Sequence, residues 1–222
     1  VPLTAGFDID APGLLATGAR IIYLCSPNNP TGTAASRGAV EQVLDRASGV
    51  VLLDEAYAEF AGTDFLAESA RRPNLLIVRT LSKAFGLAGL RVGYGVGEAA
   101  LMARVEEARG PYKVGTLAER AAAAVLDEDL AWMRERAGEA VRDRGRLLSG
   151  LSAMGLSPLT SAANFVLVPV PDAAACEERM RRSRILVRAF RTLTGIGDAL
   201  RITVGPAPTI ERALAALKEA LA

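Results

Sequence analysis

Apolar residues gather into short unbroken runs along the first half of the chain. Arg20-Ile21-Ile22-Tyr23-Leu24-Cys25, Val50-Val51-Leu52-Leu53, Leu75-Leu76-Ile77-Val78-Arg79 and Arg91-Val92-Gly93-Tyr94-Gly95-Val96 each have the length of a strand, with few or no polar interruptions. Between the first two, residues 36–47 place Val40, Val43 and Leu44 on one helical face. Strands of this kind, some separated by helices, predict an α/β fold: a mostly parallel sheet with helices on both faces. Residues 98–109 read as an amphipathic helix that Gly110-Pro111 ends. A long helical stretch follows from Thr116 to Ser149, in two pieces around Asp127–Asp129. The pattern then changes. Residues 164–168 and 185–187 read as strands with a short helix, 176–183, between them. Residues 200–204 form a further strand, and a closing helix runs from Thr209, its expected N-cap, to Leu221. This end is a small C-terminal α+β domain. The expected division is a large α/β domain over 1–130, a connecting helix over 131–150 and the small domain over 151–222.

Ligands of open α/β sheets bind beyond the carboxyl ends of the strands. Asn29, Asp54 and Lys83 each follow the end of a different predicted strand. Lys83 stands between Leu81-Ser82 and Ala84-Phe85-Gly86, just after an apolar strand. Burial there would strip its hydration and lower its pKa. Such an amine is a nucleophile toward carbonyls. Ser82 and Arg91 are natural phosphate ligands. A lysine, a hydroxyl and a guanidinium so grouped point to a phosphorylated aldehyde cofactor, pyridoxal 5'-phosphate (PLP).

Composition narrows the alternatives. The 222 residues carry 26 Lys+Arg against 25 Asp+Glu, a net charge of +1. No strong field would attract nucleic acid or an anionic membrane. No apolar run is long enough to span a bilayer. The chain has no histidine. That excludes Ser-His-Asp and Cys-His catalysis and histidine-ligated metals. Proton transfer is left to lysine, tyrosine or carboxylate. Cys25 and Cys176 lack metal-ligand spacing and suit a reducing, cytoplasmic compartment. Gly93-x-Gly95-x-Gly97 lacks the helix and acidic residue of a dinucleotide fingerprint. The arginines of residues 134–146 alternate with Glu135, Glu139 and Asp143, a mixed-charge helix surface. The start at Val1, with little chain before the first strand, carries the expectation of a missing N-terminal segment.

Three segments, Ser26-Pro27-Asn28-Asn29-Pro30-Thr31-Gly32, Asp54-Glu55-Ala56-Tyr57 and Ser82-Lys83-Ala84-Phe85-Gly86-Leu87-Ala88-Gly89-Leu90-Arg91, resemble fold-type I PLP-dependent aminotransferases. Val1-Pro2-Leu3, Asn164-Phe165 and Leu200-Arg201-Ile202-Thr203-Val204-Gly205 are most similar to the histidinol-phosphate aminotransferase branch. The resemblance covers essentially the whole chain. It implies that Lys83 carries the cofactor and moves the substrate proton, and that Asp54 pairs with the pyridine nitrogen. Asn29, joined to Pro30 by a cis peptide, and Tyr57 would bond the phenolic oxygen. Ser82 and Arg91 would hold the phosphate. Arg201 would receive a substrate carboxylate, and Arg188 a substrate phosphate, with Arg191 as a competitor for that role. A solvated surface position is the plain alternative for Arg188. The implied reaction takes histidinol phosphate and 2-oxoglutarate to imidazole-acetol phosphate and glutamate, in a homodimer. A threonine-phosphate decarboxylase and an aromatic amino-acid aminotransferase share these motifs. Family members are longer at the N-terminus. There they carry a glycine-containing phosphate turn and an aromatic that stacks on the cofactor ring, and this chain has neither before Arg20. A catalytically silent piece that needs a complementing N-terminal part is therefore a further reading.

Overall fold

The computed structural model describes residues 1–111 and 113–222, which divide into two compact units: 1–27 with 35–137, and 28–34 with 138–222. In the first unit, α1 (Ala11–Ala16) leads into β1 (Ile21–Cys25), then α2 (Arg37–Arg46), β2 (Val50–Asp54) and the short α3 (Ala58–Ala61). β3 (Leu75–Thr80), β4 (Gly93–Gly97), α4 (Ala99–Ala108) and α5 (Thr116–Glu128) follow. α6 (Leu130–Ala153) runs across the division. The break between α5 and α6 falls at Asp129, inside the expected interval.

The sheet order is β1-β2-β3-β4. The first three strands are parallel, and β4 runs antiparallel to β3. Parallel register is what makes this unit useful. It aligns Cys25 with Asp54 and Asp54 with Val78, so the chain leaves all three strands at one edge. The core lies on the α2 side, where Val40, Val43 and Leu44 meet Ile22, Leu24, Val51, Leu53, Leu75 and Ile77. Ser36 caps α2 by accepting the Ala39 N–H at 3.3 Å. The turn into β2 crosses close to Arg20. A Cβ at position 49 would sit 2.1 Å from the Arg20 carbonyl oxygen, so only glycine fits. β1 departs from the expected two-sided burial. Ile21 and Tyr23 are 65% and 57% exposed, because this edge strand is covered by described residues on its Ile22/Leu24 face alone.

The second unit holds β5 (Phe165–Pro169), α7 (Ala173–Arg182), β6 (Arg188–Leu193), β7 (Gly197–Thr203) and α8 (Ala207–Leu221). Its antiparallel sheet has the order β5-β7-β6. Leu147 and Leu151 of α6 pack with Val166, Val168, Met180, Leu200, Ile202 and Leu217 in its core. Truncating a fully buried leucine such as Leu217 to alanine costs about 2–5 kcal/mol.

Several boundaries in the two units differ from those expected, and two of them change what an element does. Residues 185–187 are not a strand: Ile185 and Val187 pack against the core, Leu186 is 78% exposed, and pairing starts only at Arg188. Arg184, in the left-handed region at φ 59°, turns the chain just before them. Thr209 does not cap α8. The helix starts at Ala207 after the Pro206 N-cap, with Pro208 in its first turn, where proline's fixed φ and missing N–H cost nothing, and Thr209 lies inside it. Residues 28–34 join this unit through the Ala162 N–H, which donates to the Gly32 carbonyl at 2.7 Å. Among the described residues no helix is long and apolar enough to cross a membrane.

Candidate active site

In the first unit the candidate residues come from two strand ends. β2 ends at Asp54, and the chain continues through Glu55 and Ala56 into Tyr57, just before α3. Asp54 is half-buried, and both its oxygens are engaged. Oδ1 accepts the Ala56 N–H at 3.0 Å, and Oδ2 accepts the Tyr23 hydroxyl at 2.7 Å. Partial burial, with the bond to Asp54 second, pushes the Tyr23 phenol far above its ordinary pKa. Tyr57 is buried at 7% exposure, and the Lys83 Nζ lies 5.5 Å from its ring centre. An ammonium over an aromatic face is attracted by the ring quadrupole.

Lys83 sits in a closed loop after β3. The Leu81 N–H donates to the Val92 carbonyl at 3.2 Å, and the Leu87 N–H to the Leu81 carbonyl at 2.9 Å. Gly86, at φ +70°, supplies the left-handed turn that this closure needs, and its N–H donates to the Lys83 carbonyl at 3.1 Å. Leu81, Ala84 and Phe85 are buried, whereas Lys83 is exposed. The burial expected of Lys83 is therefore not supplied by the described residues. Ser82 is half-buried, its N–H donating to Thr80 Oγ1 at 3.1 Å. Arg91 lies outside the strand expected for it. It stands in the left-handed region at φ 55° after a single 3-10 turn, Ala88–Leu90, and β4 begins two residues later. Its guanidinium is exposed and donates to the Ala88 carbonyl at 3.0 Å.

The second unit brings Asn29 and Arg201 together. The Asn29–Pro30 peptide is cis, and Arg201 Nη1 donates to Asn29 Oδ1 at 2.6 Å. The Arg201 guanidinium lies 5.0 Å from the Phe165 ring centre and 5.9 Å from that of Phe190. Its Nε is buried and has no hydrogen-bond partner among the described residues. Arg188 is exposed and stands directly opposite Arg201 in the β6–β7 register. Like charges opposite one another are unfavourable on a sheet, so this edge is suited to an anion. Arg191 contributes elsewhere: it adds a small pull on Asp198, whose carboxyl the Ala173 and Thr192 N–H groups hold below the ordinary range.

An ion cluster not expected from the sequence lies around Arg79, next to the Asp54 loop. Arg79, at the end of β3, donates to Glu55 Oε2 from Nε at 3.0 Å and from Nη2 at 2.7 Å. It also meets Glu59 at 3.4 Å and Asp64 at 3.1 Å. Glu55 Oε1 accepts the Phe65 N–H at 2.8 Å. Burial works against the Arg79 charge, yet the three carboxylates hold its pKa above the ordinary value. Burial likewise raises the Glu59 carboxyl, whose Oε2 has no partner among the described residues. The signal was present in the sequence: an arginine at the end of an apolar strand needs a partner, and Glu55 follows the adjacent strand. Tyr23 left no comparable signal, because its reach to Asp54 follows from strand register. No group of three or more His, Cys, Asp or Glu among the described residues is placed to hold a metal.

A sequence profile described as aminotransferase class I and II matches residues 1–217. The histidinol-phosphate aminotransferase of Paracidovorax citrulli (strain AAC00-1) is 42% identical over 235 residues, covering 100% of this chain and 63% of that protein. The crystal structure of histidinol-phosphate aminotransferase from Sinorhizobium meliloti in complex with pyridoxal-5'-phosphate is 28% identical with a TM-score of 0.88, over 100% of this chain and 63% of the other. L-threonine-O-3-phosphate decarboxylase from Porphyromonas gingivalis is 27% identical with a TM-score of 0.76, over 90% of this chain and 63% of the other. The chain thus spans under two thirds of the length of these proteins. With a profile match over residues 1–217 and the expected motifs at the ends of parallel strands, the chain belongs to the class I and II aminotransferase family.

Proposed function

We propose that the protein to which this chain belongs transfers amino groups with PLP, taking histidinol phosphate as donor and 2-oxoglutarate as acceptor. The observation that carries this reading is an exposed amine, Lys83, beside Tyr57, in the same unit as a strand-end carboxylate, Asp54, held by two donors. The donor set fits the cofactor by its chemistry: an amine for the aldehyde, a carboxylate for the ring nitrogen, and a hydroxyl and a guanidinium for the phosphate. Bound PLP supplies an electron sink for charge that develops at the substrate carbon.

The chain's own residues do the rest. Asp54 would keep a proton on the ring nitrogen through its charge. Lys83 would move the proton between the substrate carbon and the cofactor, as general base and then general acid. Tyr57 and Asn29 donate to the phenolic oxygen. Asn29 Oδ1 is already engaged by Arg201, which leaves its amide nitrogen for that role. Ser82 and Arg91 hold the phosphate, Arg91 with the guanidinium N–H groups not spent on Ala88. Arg201 receives the substrate carboxylate, and its unmet Nε supports that assignment. Arg188 faces the substrate phosphate. A cytoplasmic homodimer is part of the same proposal.

The test is product analysis of the full-length protein with PLP. Glutamate formed from 2-oxoglutarate and histidinol phosphate is the expected result. Carbon dioxide released from threonine phosphate, with 2-oxoglutarate untouched, would replace amino transfer by decarboxylation. That second reading is favoured by the likeness to the Porphyromonas gingivalis enzyme.

A further inference from the structure

We propose that Tyr23 is a positioning residue for the Asp54 carboxylate, a role that rests on the PLP reading above. Tyr23 lies on β1, is 57% exposed among the described residues, and turns its hydroxyl to a carboxylate. Its register partner is Leu52, and Asp54 pairs with Cys25. Alternation along β2 therefore puts Asp54 on the face of the sheet that Tyr23 occupies, one diagonal step away. The hydroxyl closes that step at 2.7 Å. With Ala56 N–H on Oδ1, both carboxylate oxygens are pinned and rotation about the last side-chain bond is blocked.

The pinning leaves the acceptor available. A carboxylate oxygen has two lone-pair directions, and the single Tyr23 bond leaves one on Oδ2 for a cationic N–H. Tyr23 thus fixes where Asp54 aims without competing for what it binds. A hydrogen bond made to a charged group and held in place in advance is expected to be worth about tenfold in affinity. Phenylalanine at position 23 keeps the ring and removes only that bond.

The experiment is a double-mutant cycle on cofactor binding, read by absorbance titration with PLP, using Tyr23→Phe, Asp54→Ala and the double variant. Tyr23→Phe is expected to weaken PLP binding about tenfold with Asp54 present, and less than about twofold with Asp54 removed. An equal effect in both backgrounds, or none in either, would overturn the proposal. A second measurement needs no cofactor. In the absence of PLP, an alkaline ultraviolet titration should show late-ionising phenols, one of which disappears in Tyr23→Phe and ionises earlier in Asp54→Ala, whereas Tyr94, raised by its own burial, is unchanged in both. A Tyr23 phenol unmoved by Asp54→Ala would also overturn it. Wild-type protein that takes up no PLP would sink the PLP reading and this role together. Wild-type protein that binds PLP, with Tyr23→Phe indistinguishable from it, would sink this role alone.

Discussion

Arg79 and Arg201 both sit on apolar strands, and the fold treats them in opposite ways. Arg79, at the end of β3, faces Glu55, Glu59 and Asp64 and spends its donors on carboxylates of its own unit. Arg201, in the middle of β7, has two aromatic rings beside it, one hydrogen bond to a neutral amide, and a second arginine in register. Its buried Nε goes unmet among the described residues. A buried charge must be paired or it is costly. Where the protein supplies the partners, the arginine is structural. Where it withholds them, as at the Arg201 Nε, the proposed function assigns the unmet donor to a substrate carboxylate. Position on a strand does not separate the two cases, but the inventory of partners does.

Removing the satisfied arginine should do the greatest damage to folding. Arg79→Met keeps the apolar stem and leaves Glu55 and Glu59 buried without a cation. The expected loss is about 3–5 kcal/mol in urea unfolding, the usual consequence of breaking a buried pair from one side. A loss below about 1 kcal/mol would erase the contrast. Arg201→Gln should show the reverse. Its folding stability should shift by less than about 1 kcal/mol. The affinity of the PLP-loaded protein for 2-oxoglutarate should fall about 10- to 100-fold by calorimetric titration, the worth of charged hydrogen bonds to a carboxylate. Unchanged affinity would make Arg201 a second structural arginine.

The smallest effect sharpens the comparison within the Arg79 cluster. Burial raises the Glu59 carboxyl above its ordinary range, so the folded state holds that proton more tightly than the unfolded chain. Glu59 therefore adds stability that is complete below the ordinary glutamate value and is lost as pH rises through the raised one. Glu59→Gln should flatten this part of the stability–pH curve. At neutral pH it should change stability by less than about 1 kcal/mol, because Glu55 and Asp64 still face Arg79. Unfolding followed from mildly acidic to neutral pH checks both statements. An unchanged slope would remove Glu59 from the titrating set.

Much of this was legible in the residues. Unbroken apolar runs fixed the strands, and the turn-rich and charged residues after them located Asn29, Asp54 and Lys83. What depended on register was hidden: Tyr23 meets Asp54 only because β1 and β2 pair with Cys25 opposite Asp54. Local backbone choices were hidden too. Arg91 reads as strand but takes a left-handed turn, since closing the Leu81–Val92 loop demands one there. Residues 185–187 have strand composition, yet the turn at Arg184 delays pairing to Arg188. Ile21 and Tyr23 look like core residues, but the described chain covers only one face of β1.

If the Lys83 amine receives the cofactor, borohydride reduction of the protein with PLP, followed by peptide mass mapping, will give a single reduced pyridoxyl adduct on the peptide containing Lys83, absent from Lys83→Ala. An adduct on Lys113 or Lys218 instead, or one that persists in Lys83→Ala, would contradict it.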